Sequence, residues 1–166
     1  MRNYFSLFLM VLALAACADY QFKVNDRVVY KPAPMFSDYE IADPALHECV
    51  AQHIQDGSIS AADQLVFLNC SHAGVSDLSG LESFTAIAQL KLSNNLIENV
   101  NALAGMAQLS EVYLDGNRLR SIMPLRGLNE LRLLNLQENE ALLCQQLEYF
   151  AALSTLTLEP PEHCTQ

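Results

Sequence analysis

The sequence predicts a single α/β solenoid, in which short parallel strands stack coil upon coil behind one capping helix. Three observations carry that expectation. The 166 residues leave room for one domain rather than two. The composition is 51% apolar and 17% charged with six Gly and six Pro, which supplies a packed core and excludes disordered and collagen-like chains. From Leu65 onward, apolar residues recur with a period of 22.

The chain opens with Arg2 and an unbroken apolar run from Leu7 to Ala16. Ten residues are too few to span a hydrocarbon core of about 30 Å as a helix, so the segment reads as a signal peptide, residues 1–16. It ends Leu14-Ala15-Ala16-Cys17, which resembles the lipobox of bacterial lipoproteins. That resemblance implies that Cys17 becomes a lipidated N-terminus, anchored to a membrane by its acyl chains without spanning it. Ala18 follows the cysteine and Asp19 comes one place too late for the inner-membrane retention signal, which points to the outer membrane of a bacterial envelope. Residues 17–42 read as a tether in which Phe22-Lys23-Val24 is answered by Val28 and Tyr30 across Asn25-Asp26, a candidate hairpin.

Residues 43–64 form the expected N-terminal cap. Asp43-Pro44 supplies an N-cap and a first-turn proline, and Leu46, Cys49, Val50, His53 and Ile54 fall on one helical face. Gly57 is placed to close the helix in the left-handed region.

Four complete repeats then occupy residues 65–152, with a truncated fifth and a C-terminal cap in 153–166. Aligned without gaps, one column reads Leu65, Ile87, Leu109, Leu131 and Leu153; the next reads Leu68, Leu90, Val112, Leu134 and Leu156; a third reads Cys70, Leu92, Leu114, Leu136 and Leu158. Seven columns are apolar in all four complete units, 28 positions of 28. At this composition chance gives about one in 10⁸. Strands are expected around 67–70, 89–92, 111–114, 133–136 and 155–158, with alternate residues inward. Asn95, Asn117 and Asn139 share one column, where a stacked ladder of amides satisfies the turn N–H and C=O groups that water cannot reach. The first and last units depart from the pattern, with Ala73 in the Asn column, and Ala141 and Cys144 at inward columns. Terminal coils depart in this way when they serve as caps.

These columns resemble the 22-residue class of leucine-rich repeats, of which internalin-type bacterial surface proteins are members. The resemblance implies a right-handed curved solenoid with a parallel sheet on its concave face, used to bind proteins. In such a solenoid, inward Cys70 and Cys144 lie three coils, or roughly 14 Å, apart, beyond the reach of a disulfide of about 7 Å between Cα atoms. That leaves Cys49–Cys70 across the N-terminal cap and Cys144–Cys164 across the C-terminal one, the alternative being buried free thiols. Export supplies the oxidising compartment such bonds need.

Other chemistry finds little support. Nine Lys and Arg against 19 Asp and Glu give a formal charge of −10, which repels nucleic acid. His47-Glu48 on the capping helix resembles the start of a zinc-protease motif, but Ala51 stands where the second histidine is required and His53 comes too late. The cysteines lack CxxC spacing, so no metal site is expected. No cofactor and no catalytic residues are expected either, and the chain reads as a monomeric binding module rather than an enzyme. The outward strand positions are its candidate binding face. One row reads Asn69, Lys91, Tyr113, Asn135 and Thr157, flanked by Phe67, Gln89, Glu111, Leu133 and Thr155. Tyr113 is the best anchor, because an exposed aromatic on a rigid strand binds at small entropic cost. The expected ligand is a protein or peptide. The alternative is a structural or glycan-layer envelope lipoprotein with no dedicated protein ligand.

Overall fold

A computed structural model of the chain describes residues 22–24, 27–30 and 34–165. Cys17 and the signal segment lie outside the described residues. The chain divides into two compact units, 1–34 and 35–166. In the first, β1 (Phe22–Val24) pairs antiparallel with β2 (Arg27–Tyr30), Phe22 opposite Tyr30 and Lys23 opposite Val28.

The second unit is the coil stack. Five strands, β3 (Phe67–Asn69), β4 (Gln89–Lys91), β5 (Glu111–Tyr113), β6 (Leu133–Asn135) and β7 (Thr157–Glu159), form one parallel sheet in sequence order. Leu68, Leu90, Val112 and Leu134 sit side by side at the 22-residue period, each fully buried. After each strand the chain turns inward and returns along short 3₁₀ turns such as Leu81–Ser83, Asn101–Leu103 and Met123–Gly127. The return side buries Val75, Leu78, Leu81 and Phe84 and their repeats in the second and third coils, whereas Ala141 and Cys144 of the fourth, expected inward, are not buried; one contiguous core runs from Leu46 to Phe150.

The fourth coil breaks the period. Leu134 lies beside Leu158 rather than Leu156, so this coil holds two more residues than the others and the last strand begins at Thr157, not 155. Two changes account for it. Leu142 is buried in place of the exposed Ala141, and the return includes a true α-turn, α2 (Leu147–Ala151), which advances only about 1.5 Å per residue against about 2.0 Å in a 3₁₀ turn. Leu153, Leu156 and Leu158 are only half-buried, because no coil follows to cover them among the described residues.

The N-terminal cap is larger than expected. Helix α1 (Pro44–Asp56) buries Leu46, Val50 and Ile54. Residues 35–42, expected to belong to the tether, are docked instead: Phe36 donates its N–H to Ile59 O at 2.9 Å, and Phe36, Tyr39 and Ile41 pack on the core, the two rings meeting buried Phe84 edge-on. Gly57 is not left-handed. It has φ −82°, and the positive φ falls on Ser58, after which the Ile59 N–H reaches back to Ile54 O. With Ser58 N–H on Gln55 O, this is a Schellman closure, and buried Ile59 supplies its apolar contact.

Candidate binding surface

The strand residues facing away from the core are held by a scaffold whose polar interior is fully paired. Asn95 donates to Cys70 O and Leu92 O, both at 2.9 Å, and accepts from the Val75 N–H at 3.0 Å. Asn117 repeats the pattern with Leu92 O, Leu114 O and the Ile97 N–H, and Asn139 repeats it with Leu114 O, Leu136 O and the Leu119 N–H. Each amide thus ties its own coil to the preceding one. Among the described residues no buried side-chain N or O atom lacks a partner.

Both ends are pinned covalently. Cys49 and Cys70 are bonded, joining α1 to the first coil, and Cys144 is bonded to Cys164. His53 completes the N-terminal closure: its Nε2 accepts the Asn69 N–H at 3.3 Å, a donor that the first strand would otherwise present unpaired at the sheet edge, while Nδ1 lies 3.0 Å from Cys49 O. Asp43 closes the other side. Oδ1 accepts the Ala45 and Leu46 N–H groups as a helix cap, and Oδ2 accepts the Ser76 and Asp77 N–H groups and the Ser76 hydroxyl. Burial alone would raise this carboxyl, but those donors outweigh it and hold Asp43 down to about 2.

On this frame the outward rows are fixed at one side chain per rung. Phe67, Gln89, Glu111, Leu133 and Thr157 form the first row, and Asn69, Lys91, Tyr113, Asn135 and Glu159 the second. The two-residue offset of the last coil therefore replaces Thr155 with Thr157 and Thr157 with Glu159. Lys91 Nζ sits 5.0 Å over the Tyr113 ring, Tyr113 Oη is 3.5 Å from Glu111 Oε2, and Gln89 Nε2 donates to the same carboxylate oxygen. Ser93 Oγ donates to Asp115 at 2.6 Å on the next row. The Tyr113 hydroxyl is raised above its ordinary value, first by burial, then by the charge and hydrogen bond of Glu111, then by Glu159. Phe67, 41% exposed, stands at the open end of the first row with its ring 6.2 Å from that of His53.

The sheet thus brings Gln89, Lys91, Glu111 and Tyr113 into one interacting cluster, and leaves Asn69 and Phe67 on the rim strand. Composition could not reveal the Lys91–Tyr113 stacking, although the 22-residue spacing of those two positions places them on adjacent rungs. Among the described residues the one group of three metal-type donors is Cys144, His163 and Cys164, and both sulfurs are taken up in the disulfide.

Searched by sequence, the chain matches no family model and no curated protein. Among solved structures it is similar to an internalin, InlF, from Listeria monocytogenes, with a TM-score of 0.64 and 23% identity over 72% of this chain and 36% of that one. A second Listeria monocytogenes internalin, C2, aligns over 78% of this chain and 81% of its own at 21% identity, with a TM-score of 0.38. This chain therefore spans about a third of InlF's length. With its five-stranded parallel sheet, capping helix and two terminal disulfides, the fold is a leucine-rich-repeat solenoid.

Proposed function

We propose that this chain is a membrane-anchored binding module that takes a protein or peptide on its outward sheet face. The observation that carries the reading is the cluster around Tyr113: an aromatic ring held between Lys91 and Glu111 on neighbouring strands. Its conformational freedom is spent before any ligand arrives, and such preorganisation lowers the entropic cost of association. Phe67 and Leu133 add apolar area on the flanking row. Anchoring rests on Cys17 behind the lipobox-like Leu14-Ala15-Ala16. Among the described residues no helix is long and apolar enough to cross a membrane.

Crosslinking and pull-down of the lipidated protein from its own envelope tests the binding face. Tyr113→Ala and Lys91→Ala should each lose the crosslinked partner while keeping the wild-type circular dichroism. Undiminished recovery from both variants would remove the sheet face from the reading and favour a structural envelope role. The anchor is tested separately by metabolic acyl labelling, which Cys17→Ser should abolish; label that persists in that variant places the lipid elsewhere.

A further inference from the structure

The sheet-face reading leaves the chemistry of the partner open, and the charge distribution narrows it. The coil unit, residues 35–166, carries 17 carboxylates and five Lys or Arg, a formal charge of −12. From residue 32 to residue 90 there are eight Asp and Glu and not one Lys or Arg. The outward rows follow the same bias, with Glu111, Asp115 and Glu159 against Lys91 alone. Arg132 lies at the rim near Glu111, in a hollow that Glu130 also lines. Lys91 is already committed to the face of Tyr113, which shows that this ring accepts a cation in the setting the strands give it.

Spacing adds a second constraint. Glu111 and Glu159 stand on β5 and β7, with β6 between them bearing Leu133 in the row of Glu111 and Asn135 in the row of Glu159. Two rungs of a parallel sheet measure about 10 Å and the step from one row to the next adds roughly 7 Å along the strand, so the two positions stand about 12 Å apart on the diagonal. An extended chain laid across the strands advances about 3.3 Å per residue and turns alternate side chains to one face, so side chains four apart, roughly 13 Å, match that gap on the face toward the sheet, and the side chain midway between them meets β6 beside Leu133. We propose that the partner presents an extended basic segment, two Lys or Arg residues four apart flanking a central apolar residue, which crosses β5 to β7 with its cations at Glu111 and Glu159 and its apolar residue beside Leu133. This deepens the sheet-face reading and rests on it. The long-range field of the acidic cap raises the encounter rate with such a segment and screens out anionic surfaces.

The test uses the full-length protein and fluorescein-labelled ten-residue peptides carrying one Arg pair and one Leu. Arg residues four apart should bind more tightly than pairs adjacent or three apart, and binding should weaken as salt rises. Glu111→Gln/Glu159→Gln should lower the affinity at least tenfold while keeping the wild-type circular dichroism, since both side chains lie on the outward rows and neither enters the core. Equal binding of a peptide with Glu in place of Arg, or wild-type affinity in the double variant, overturns the basic partner. A neutral peptide whose binding is lost in Tyr113→Ala but unmoved by the double variant also overturns it, while upholding the sheet face. If no peptide binds in a manner that depends on Tyr113, both readings fall together.

Discussion

Asp43 shows how much a single side chain does in this fold. One carboxylate caps α1 with Oδ1 and fixes the first coil's turn at Ser76 and Asp77 with Oδ2, joining two elements 33 residues apart. The pH dependence follows from its depressed value, about 2 against an ordinary 3.8. Because the folded form is the stronger acid, the stabilisation is complete above the unfolded value and fades as pH falls through 3.8 toward 2. A shift of that size corresponds to about 2 kcal/mol. Asp43→Asn should therefore lower the urea midpoint at pH 7 by the equivalent of about 1–2 kcal/mol, with the gap to wild type closing as pH approaches 2. A gap that stays constant over that range would mean the charge is not what matters. The N-cap half of this role was legible in Asp43-Pro44, because capping is local. The Ser76 half was not, since no period links position 43 to a turn in the first coil. By contrast the Asn column was readable throughout, because each of its amides serves the same bonds one coil further on.

At the scale of elements, periodicity located β3 to β6 to within a residue and failed at the fourth coil, for a physical reason. The gap-free alignment of Leu131 with Leu153 is apolar in all three strand columns, Leu153, Leu156 and Leu158, so composition could not reveal two additional residues absorbed by the α-turn at Leu147–Ala151. Residues 35–42 escaped for the opposite reason: Phe36, Tyr39 and Ile41 belong to no repeat, and their docking depends on a glycine in the first coil. Gly80 has φ +99°, and a Cβ there would lie 2.0 Å from Glu40 O. Gly80→Ala meets both a backbone conformation disfavoured for L-residues, at about 1–3 kcal/mol, and a backbone oxygen that cannot yield without moving the segment. The expected result is release of residues 35–42, read as faster proteolysis around Phe36 and Tyr39, while the stack from β4 onward keeps its exchange protection. Wild-type cleavage rates in this variant would show that the segment's hold is independent of Gly80.

For the whole molecule the governing fact is that each coil touches chiefly its neighbours, so stability is close to a sum of coil and interface contributions and the ends are where fraying begins. The structure places its irregular devices there: a helix, a Schellman closure, His53 on the sheet edge and Cys49–Cys70 at one end; an α-turn and Cys144–Cys164 at the other. The two ends are not equally protected. The first coil is covered by buried Leu46, Val50 and Ile54, whereas Leu153, Leu156 and Leu158 remain half-buried. The C-terminal coils therefore depend more on their disulfide. Cys144–Cys164 spans 20 residues, a loop for which the chain-entropy treatment gives roughly 3 kcal/mol. In a stack of neighbours that loss stays local. Replacing both cysteines with Ser should raise amide exchange over residues 131–158 by one to two orders of magnitude, while residues 65–106, held by α1 and Cys49–Cys70, keep nearly their original protection. Uniform loss of protection along the chain would mean that the solenoid unfolds as one cooperative unit, and that the terminal devices stabilise the molecule globally rather than coil by coil.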